Sequence, residues 1–259
     1  WSDTFCQALS KEYFVIRYDH RDVGQSSHIN YMTNPYGLRD LADDVIHILD
    51  GYNIQQAHLV GTSMGGYLAQ LCMQRASERV LSVTLIMSTI DFSSMGKVMV
   101  GNLAANDLPP PAKDVLEGLK SIGVIDTADF DSWLFKSLKV LRLFNGTEVA
   151  FDEAEWIPAL EKAYLRRNTS VPSNIMHNHI MACSQGPMCY YDVKPVCPVH
   201  VIHGSADPML PLVHAKRTAA HYNATLTVIE SMGHTRPKMF ENNFVTAMQQ
   251  FFGKLSKAC

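Results

Sequence analysis

Apolar residues along this chain recur in two rhythms, and the alternation between them outlines a fold. Between residues 13 and 90, short apolar runs take turns with amphipathic stretches. Tyr13-Phe14-Val15-Ile16-Arg17-Tyr18 is β-rich and stops at the polar turn Asp19–Ser27. Leu38, Leu41, Ala42, Val45, Ile46, Leu49 and Tyr52 return at helical spacing, with Arg39, Asp40, Asp43, Asp44 and Asp50 between them. Ala57-His58-Leu59-Val60 then predicts a strand, Tyr67–Arg75 a helix and Val83-Thr84-Leu85-Ile86-Met87 another strand. Strands alternating with helices predict a parallel sheet covered on both faces.

The rhythm changes from Asp91 to Lys194. This stretch lacks convincing strands and carries the helical patterns Ala112–Ile122, Asp129–Phe144, Asp152–Arg167 and Ser173–Cys183. Pro109-Pro110-Pro111 punctuates it and Pro195-x-x-Pro198 closes it. It reads as a helical cap over residues 91–194, inserted between a first core part (1–90) and a second (195–259). The alternative is a continuing core with unrecognised strands. Strands resume at Val199-His200-Val201-Ile202-His203 and Leu226-Thr227-Val228-Ile229, and the helix Phe244–Phe252 finishes the pattern.

Composition narrows the partners. With 47% hydrophobic and 18% charged residues and a formal net charge of -3, the chain gives no reason to expect nucleic acid or an anionic membrane as partner. No apolar run reaches membrane-spanning length. Six cysteines without a C-x-x-C pair read as reduced thiols, which favours a cytoplasmic setting. Three N-x-S/T sequons, at Asn145, Asn168 and Asn223, keep secretion open as the alternative. His177 and His179 with Cys183 and Cys189 fit no standard zinc spacing, so neither a metal nor an organic cofactor is expected.

The chemistry centres on Gly61-Thr62-Ser63-Met64-Gly65-Gly66, placed between a strand and a helix. This is the context of a G-x-S-x-G nucleophile elbow. Gly61 and Gly65 are expected to remove Cβ atoms where strand and helix nearly touch, leaving Ser63 strained and exposed. A serine hydroxyl needs a base, and the base needs a carboxylate. Asp207, in Gly204-Ser205-Ala206-Asp207-Pro208, and His234, in Ser231-Met232-Gly233-His234, follow strands in the order this architecture requires.

His234 is one of eleven histidines. His203 reads as a support for the loop of Asp207, His20 as part of a turn, and His58 and His200 as sheet residues. Asp91, also beyond a strand, is the rival acid, and Asp207 is favoured because its turn is the more specific context. The Met64 N–H is expected to donate to the oxyanion. Met209 and Met232 are candidate pocket residues, with Met95, Met99, Met176, Met181 and Met188 in the cap; the plainer alternative is that each fills ordinary core.

Taken together, these residues resemble the α/β-hydrolase superfamily, and within it the aclacinomycin methylesterase-like group of small-molecule esterases. The likeness is carried by Val15–Ser26 (VIRYDHRDVGQS), Leu38–Gly66, Val201–Pro211 and Gly233-His234, with Phe151-Asp152-Glu153-Ala154-Glu155-Trp156 in the cap. The resemblance implies an eight-stranded, mostly parallel sheet, with Ser63 as nucleophile, Asp207 as acid and His234 as base. It also implies early strands and a second oxyanion donor ahead of Trp1, so the native polypeptide is expected to extend upstream of the helix Thr4–Ser10.

The expected activity is hydrolysis of carboxylic esters of a small, apolar molecule through an acyl-enzyme. A thioesterase, an amidase or an aminopeptidase using the same residues is the alternative; the last would need an ammonium-binding carboxylate cluster, for which Glu153, Glu155 and Glu161 are candidates. A non-catalytic binding protein of the same fold is the third reading.

Overall fold

The computed structural model describes residues 1–92, 108–123, 125, 129–167, 175–184 and 189–256. Met95, Met99, Met188 and Asn168 lie outside the described residues, as do the side chains of Met176 and His177. In chain order the elements begin with helices α1 (Asp3–Leu9) and α2 (Leu38–Gly51), strand β1 (Ala57–Thr62), helix α3 (Met64–Arg75) and strand β2 (Val80–Ile86). Helices α4 (Lys113–Ile122), α5 (Phe130–Asn145), α6 (Glu153–Leu165) and α7 (Ile175–Ser184) follow. Strand β3 (Val199–Gly204), helix α8 (Val213–Tyr222), strand β4 (Thr225–Ile229) and helix α9 (Glu241–Leu255) complete the set.

The four strands pair in sequence order, β1-β2-β3-β4, and every pairing is parallel. β3 is buried along its whole length and β2 at all but one residue, which explains their nearly unbroken apolar runs. Successive side chains point to opposite faces. Leu85 and Val201 join Leu41, Leu68, Leu71, Ala215 and Ala219 in a cluster beneath α2, α3 and α8. Ile86 and Ile202 join Phe5, Leu9, Met248, Phe251 and Phe252 beneath α1 and α9. Two pairs of polar strand side chains meet across the sheet: His58 Nδ1 meets Ser82 Oγ at 2.7 Å, and His200 Nε2 meets Thr227 Oγ1 at 2.9 Å. Both imidazoles lie against phenylalanines of α9, as sheet residues should.

Three features differ from the sequence reading. Tyr13–Tyr18 forms no ladder with β1 or any other described strand, because β-rich composition makes a strand only where a neighbour accepts its hydrogen bonds. Its anchoring is through side chains, with the Tyr13 ring 5.3 Å from that of Phe252. Of the five strand segments read from the sequence (the eight implied by the resemblance include early strands expected ahead of Trp1), the described residues form four. Helix α8 has no apolar stripe to mark it in the sequence, because its buried face is built mostly from His214, Ala215, Thr218 and Ala219, with Tyr222 its one large member. His214 and Thr218 are satisfied by Thr89 Oγ1, the Pro109 carbonyl and the Ile90 N–H.

Between β2 and β3 the described residues are helical from α4 to α7, with α4 packed on α5 and α5 on α6. This segment is tied to the strand-bearing part by polar contacts. Arg166 pairs with Asp19 at 2.7 Å, Asn178 Nδ2 donates to Asp22 Oδ2 at 3.0 Å, and His179 Nε2 donates to the Arg21 carbonyl at 3.0 Å. Asp22 is itself buried, adopts φ 66°, and accepts from Ile29 N and the Tyr36 hydroxyl.

Burial, reinforced by nearby Lys254, lowers the pKa of His200 to about 4. The unfolded chain takes up this proton near the ordinary histidine value of about 6.5, whereas the folded protein resists it. The contribution to stability is therefore complete above that value and is lost as pH falls toward about 4. Urea midpoints measured at neutral, mildly acidic and more acidic pH should fall across this window, and His200→Gln should flatten the slope. An unchanged slope would show that His200 titrates alike in both states.

Candidate active site

The local geometry at Ser63 follows from how closely β1 and α3 approach. Ser63 adopts φ 52° and ψ −115°, a conformation that costs a non-glycine residue on the order of 1–3 kcal/mol. Hydrogen bonds to its own backbone hold it there. Its N–H donates to the Ile86 carbonyl at 2.9 Å, and its carbonyl accepts from Ser88 Oγ at 2.9 Å and Gly66 N at 3.0 Å. A Cβ on Gly61 would lie 2.1 Å from the Gly65 carbonyl oxygen, and one on Gly66 would lie 2.6 Å from Ser88 Cβ. A Cβ on Gly65 would meet nothing within 4 Å. The steric expectation thus holds for Gly61 and is corrected for Gly65: the tight crossing sits beneath the turn, and Gly66 completes it. The repeated glycine, Gly65-Gly66, is the sequence signal for Gly66; Ser88 carries none.

The parallel sheet brings the loops after β1, β3 and β4 to one edge. His234 Nε2 lies 3.2 Å from Ser63 Oγ, and His234 Nδ1 lies 2.7 Å from Asp207 Oδ2. A carboxylate accepts, so Nδ1 carries the proton and Nε2 turns a lone pair toward the serine. Asp207 Oδ1 accepts from the N–H groups of Met209 and Leu210 at 2.9 and 2.8 Å. Burial pushes the Asp207 pKa up, but the charge and hydrogen bond of His234, then His203 and the Leu210 N–H, outweigh it, leaving the carboxyl below its ordinary value. His203 Nε2 donates to the Leu210 carbonyl at 2.7 Å and lies 3.4 Å from Asp207 Oδ2, so it braces the acid's loop. Burial lowers its own pKa, against the opposing pull of the Asp207 carboxylate.

Other candidates fall elsewhere. Asp91 is buried and bridges through its backbone to Cys189, while the place at His234 Nδ1 belongs to Asp207. Met64 heads α3, directly after Ser63. Met209 is half-buried beside Asp207. Met232 is fully buried in the cluster beneath α9, so it fills core and does not line a pocket. Met181, expected in the cap, is exposed on α7. Glu153 pairs with Arg142 at 2.6 Å and Glu155 accepts from Lys238 N at 2.6 Å, so neither carboxylate stands free to gather an ammonium group. The end of α5, Phe144-Asn145-Gly146, is a neighbour of the site that nothing in the sequence pattern marks; it lies against His234, with the Phe144 carbonyl accepting the His234 N–H at 2.6 Å.

Comparison with known proteins shows the family. The family model for the alpha/beta hydrolase fold matches residues 1–235. The chain belongs to the α/β-hydrolase family. Among curated members, the rhodomycin D methylesterase of Streptomyces peucetius is 31% identical over 245 residues, covering 92% of this chain and 80% of that protein. The corresponding methylesterase of Streptomyces sp. (strain C5) gives the same identity and coverage. A thermophilic esterase from Thermogutta terrifontis superposes with a TM-score of 0.69 at 18% identity, over 97% of this chain and 85% of its own. The meta-cleavage product hydrolase from Pseudomonas fluorescens gives 0.67 at 22% identity, over 97% and 84%. At such identities the structures speak for the fold. The methylesterase relatives and the family together make this α/β-hydrolase a carboxylic ester hydrolase. No helix among its described residues is long and apolar enough to cross a membrane.

The glycine geometry gives a direct test. Gly61→Ala should destabilise the hydrolase by more than about 2 kcal/mol, since backbone must move to admit the methyl group. Gly65→Ala should stay within about 1 kcal/mol of the parent, because helix propensity favours alanine and the space is open. Urea denaturation of the two variants compares them; equal losses would contradict the assigned crossing.

Proposed function

We propose that this α/β-hydrolase cleaves carboxylic esters of a small, apolar molecule through Ser63, His234 and Asp207, by way of an acyl-enzyme. The observation that carries the proposal is the continuous relay from Ser63 Oγ to His234 Nε2 (3.2 Å) and from His234 Nδ1 to Asp207 Oδ2 (2.7 Å). Ser63 Oγ attacks the ester carbonyl while His234 Nε2 takes its proton. The oxyanion meets the Met64 N–H at the N-terminus of α3, where unpaired amides and the helix dipole favour negative charge. The alcohol leaves with the proton held by His234. Water, deprotonated by the same nitrogen, then releases the acid and restores the serine.

A methyl ester is the favoured leaving end, on the strength of the two methylesterase relatives. The apolar character of the substrate is supported by Phe144, whose ring stands edge-on to the His234 imidazole at 5.5 Å, and by half-buried Met209 beside Asp207. The helical segment from α4 to α7 is the proposed cap over this site. A cytoplasmic location is supported by two features of the chain. Cys72, Cys183 and Cys197 are thiols whose burial raises their pKa, to about 12, 11 and 11. Asn145, the first sequon, has its amide buried against the Val149 carbonyl.

Ser63→Ala should abolish covalent labelling by a fluorophosphonate probe, read as the mass of the intact protein. His234→Ala should lower kcat on a methyl ester by about 10³-fold or more, and Asp207→Asn by about 10³–10⁴-fold. Labelling that persists in Ser63→Ala would assign the nucleophile elsewhere. Met209→Ala should shift preference among methyl esters toward bulkier acyl groups, and an identical chain-length profile would remove Met209 from the pocket.

A further inference from the structure

The end of α5 is wedged between the two loops that carry the acid and the base. Gly146, at φ 74°, passes so close to the acid's turn that a Cβ there would lie 3.0 Å from the Ala206 carbonyl. On the other side, a Cβ on Gly233 would lie 2.1 Å from the Asn145 carbonyl oxygen and 2.6 Å from that of Phe144. Helix ends leave carbonyls without intrahelical partners. Here the Phe144 carbonyl is satisfied by the His234 N–H at 2.6 Å.

The Asn145 side chain fixes this arrangement. It is buried at 2% exposure, donates from Nδ2 to the Val149 carbonyl at 2.8 Å, and accepts at Oδ1 from Thr235 Oγ1 at 3.2 Å. The amide cannot turn over, because the Val149 carbonyl accepts only and demands the NH₂ group. Thr235, also buried, follows His234 directly. We infer that Asn145 is a positioning residue for the proposed reaction, clamping the end of α5 to the Thr235 hydroxyl and so holding His234 in line between Ser63 and Asp207. This rests on the reading of those three residues as the reacting relay. A polar clamp of this kind is directional, whereas an apolar contact would leave the loop free to slide by an ångström. Misplacement on that scale costs catalysis on the order of 10²-fold.

The test uses Asn145→Ala, Asn145→Asp, Thr235→Val and Thr235→Ser in the full chain. Each is assayed for kcat and KM on a methyl ester, for its melting curve, and for the downfield proton resonance of His234 Nδ1–H, assigned by its disappearance in His234→Gln. Asn145→Ala and Thr235→Val should lower kcat by about 10-fold or more with KM within about twofold, and should shift or broaden the resonance. Asn145→Asp should be as severe as alanine, since a carboxylate oxygen would face the Val149 carbonyl. Thr235→Ser keeps the donor and should recover most of kcat. Wild-type kcat and an unmoved resonance in folded Asn145→Ala and Thr235→Val would overturn the inference. If Asn145→Ala fails to fold, Thr235→Val alone decides. Hydrolysis that survives Ser63→Ala would sink the proposed function instead, and the resonance would still report whether Asn145 holds His234.

Discussion

Everything at the site depends on the parallel register of the four strands. Because β1, β2, β3 and β4 run in the same direction, the turns that follow β1, β3 and β4 open on one edge of the sheet. Residues separated by more than 140 positions, Ser63 and Asp207 among them, meet there through His234. A parallel sheet must be covered on both faces, which is why α2, α3 and α8 pack on one side and α1 and α9 on the other. That double cover buries the strands deeply enough to make the site's foundation stiff, while the loops above it retain polar edges.

Stiffness at the foundation is what permits strain at the surface. Ser63 holds its unfavourable backbone angles because β2 supplies the Ile86 carbonyl beneath its N–H and Ser88 reaches its carbonyl. Asp207 is managed differently. A buried carboxylate would ordinarily be driven toward protonation. Two backbone N–H groups, His234 and His203 surround Asp207 and keep it ionised, so it can fix the orientation of its histidine. Preorganisation here consists of donors already aimed before any ligand arrives.

The helices between β2 and β3 are bound to the rest of the chain by polar contacts as well as by Ala182 of α7, which joins the main apolar cluster. Asp22, buried and fully engaged, gathers Ile29 N, Tyr36 and Asn178 at one place, while Arg166 and Asp19 pair nearby. The VIRYDHRDVGQS segment thereby acquires a structural role: Asp22 and Arg21 seat α7, and Arg21 also forks onto Asp44 of α2. At the opposite side the end of α5 reaches the histidine loop.

The sequence by itself determined the strand–helix alternation, the elbow at Ser63, and the order in which Asp207 and His234 follow their strands. These are local properties: hydrophobic periodicity and turn chemistry act within a few residues, so they can be read along the chain. Tertiary structure decided what depends on distant partners. Tyr13–Tyr18 has strand composition but no ladder, because pairing belongs to two segments at once. Met232 looked like a pocket residue by its distance in sequence from His234, yet the turn after β4 carries it into the core beneath α9. Helix α8 hid its buried face behind His214 and Thr218, whose partners lie more than 100 residues away. Asn145 carried only a sequon in sequence; its contact with Thr235 exists because two loops, 90 positions apart, cross where Gly233 leaves room.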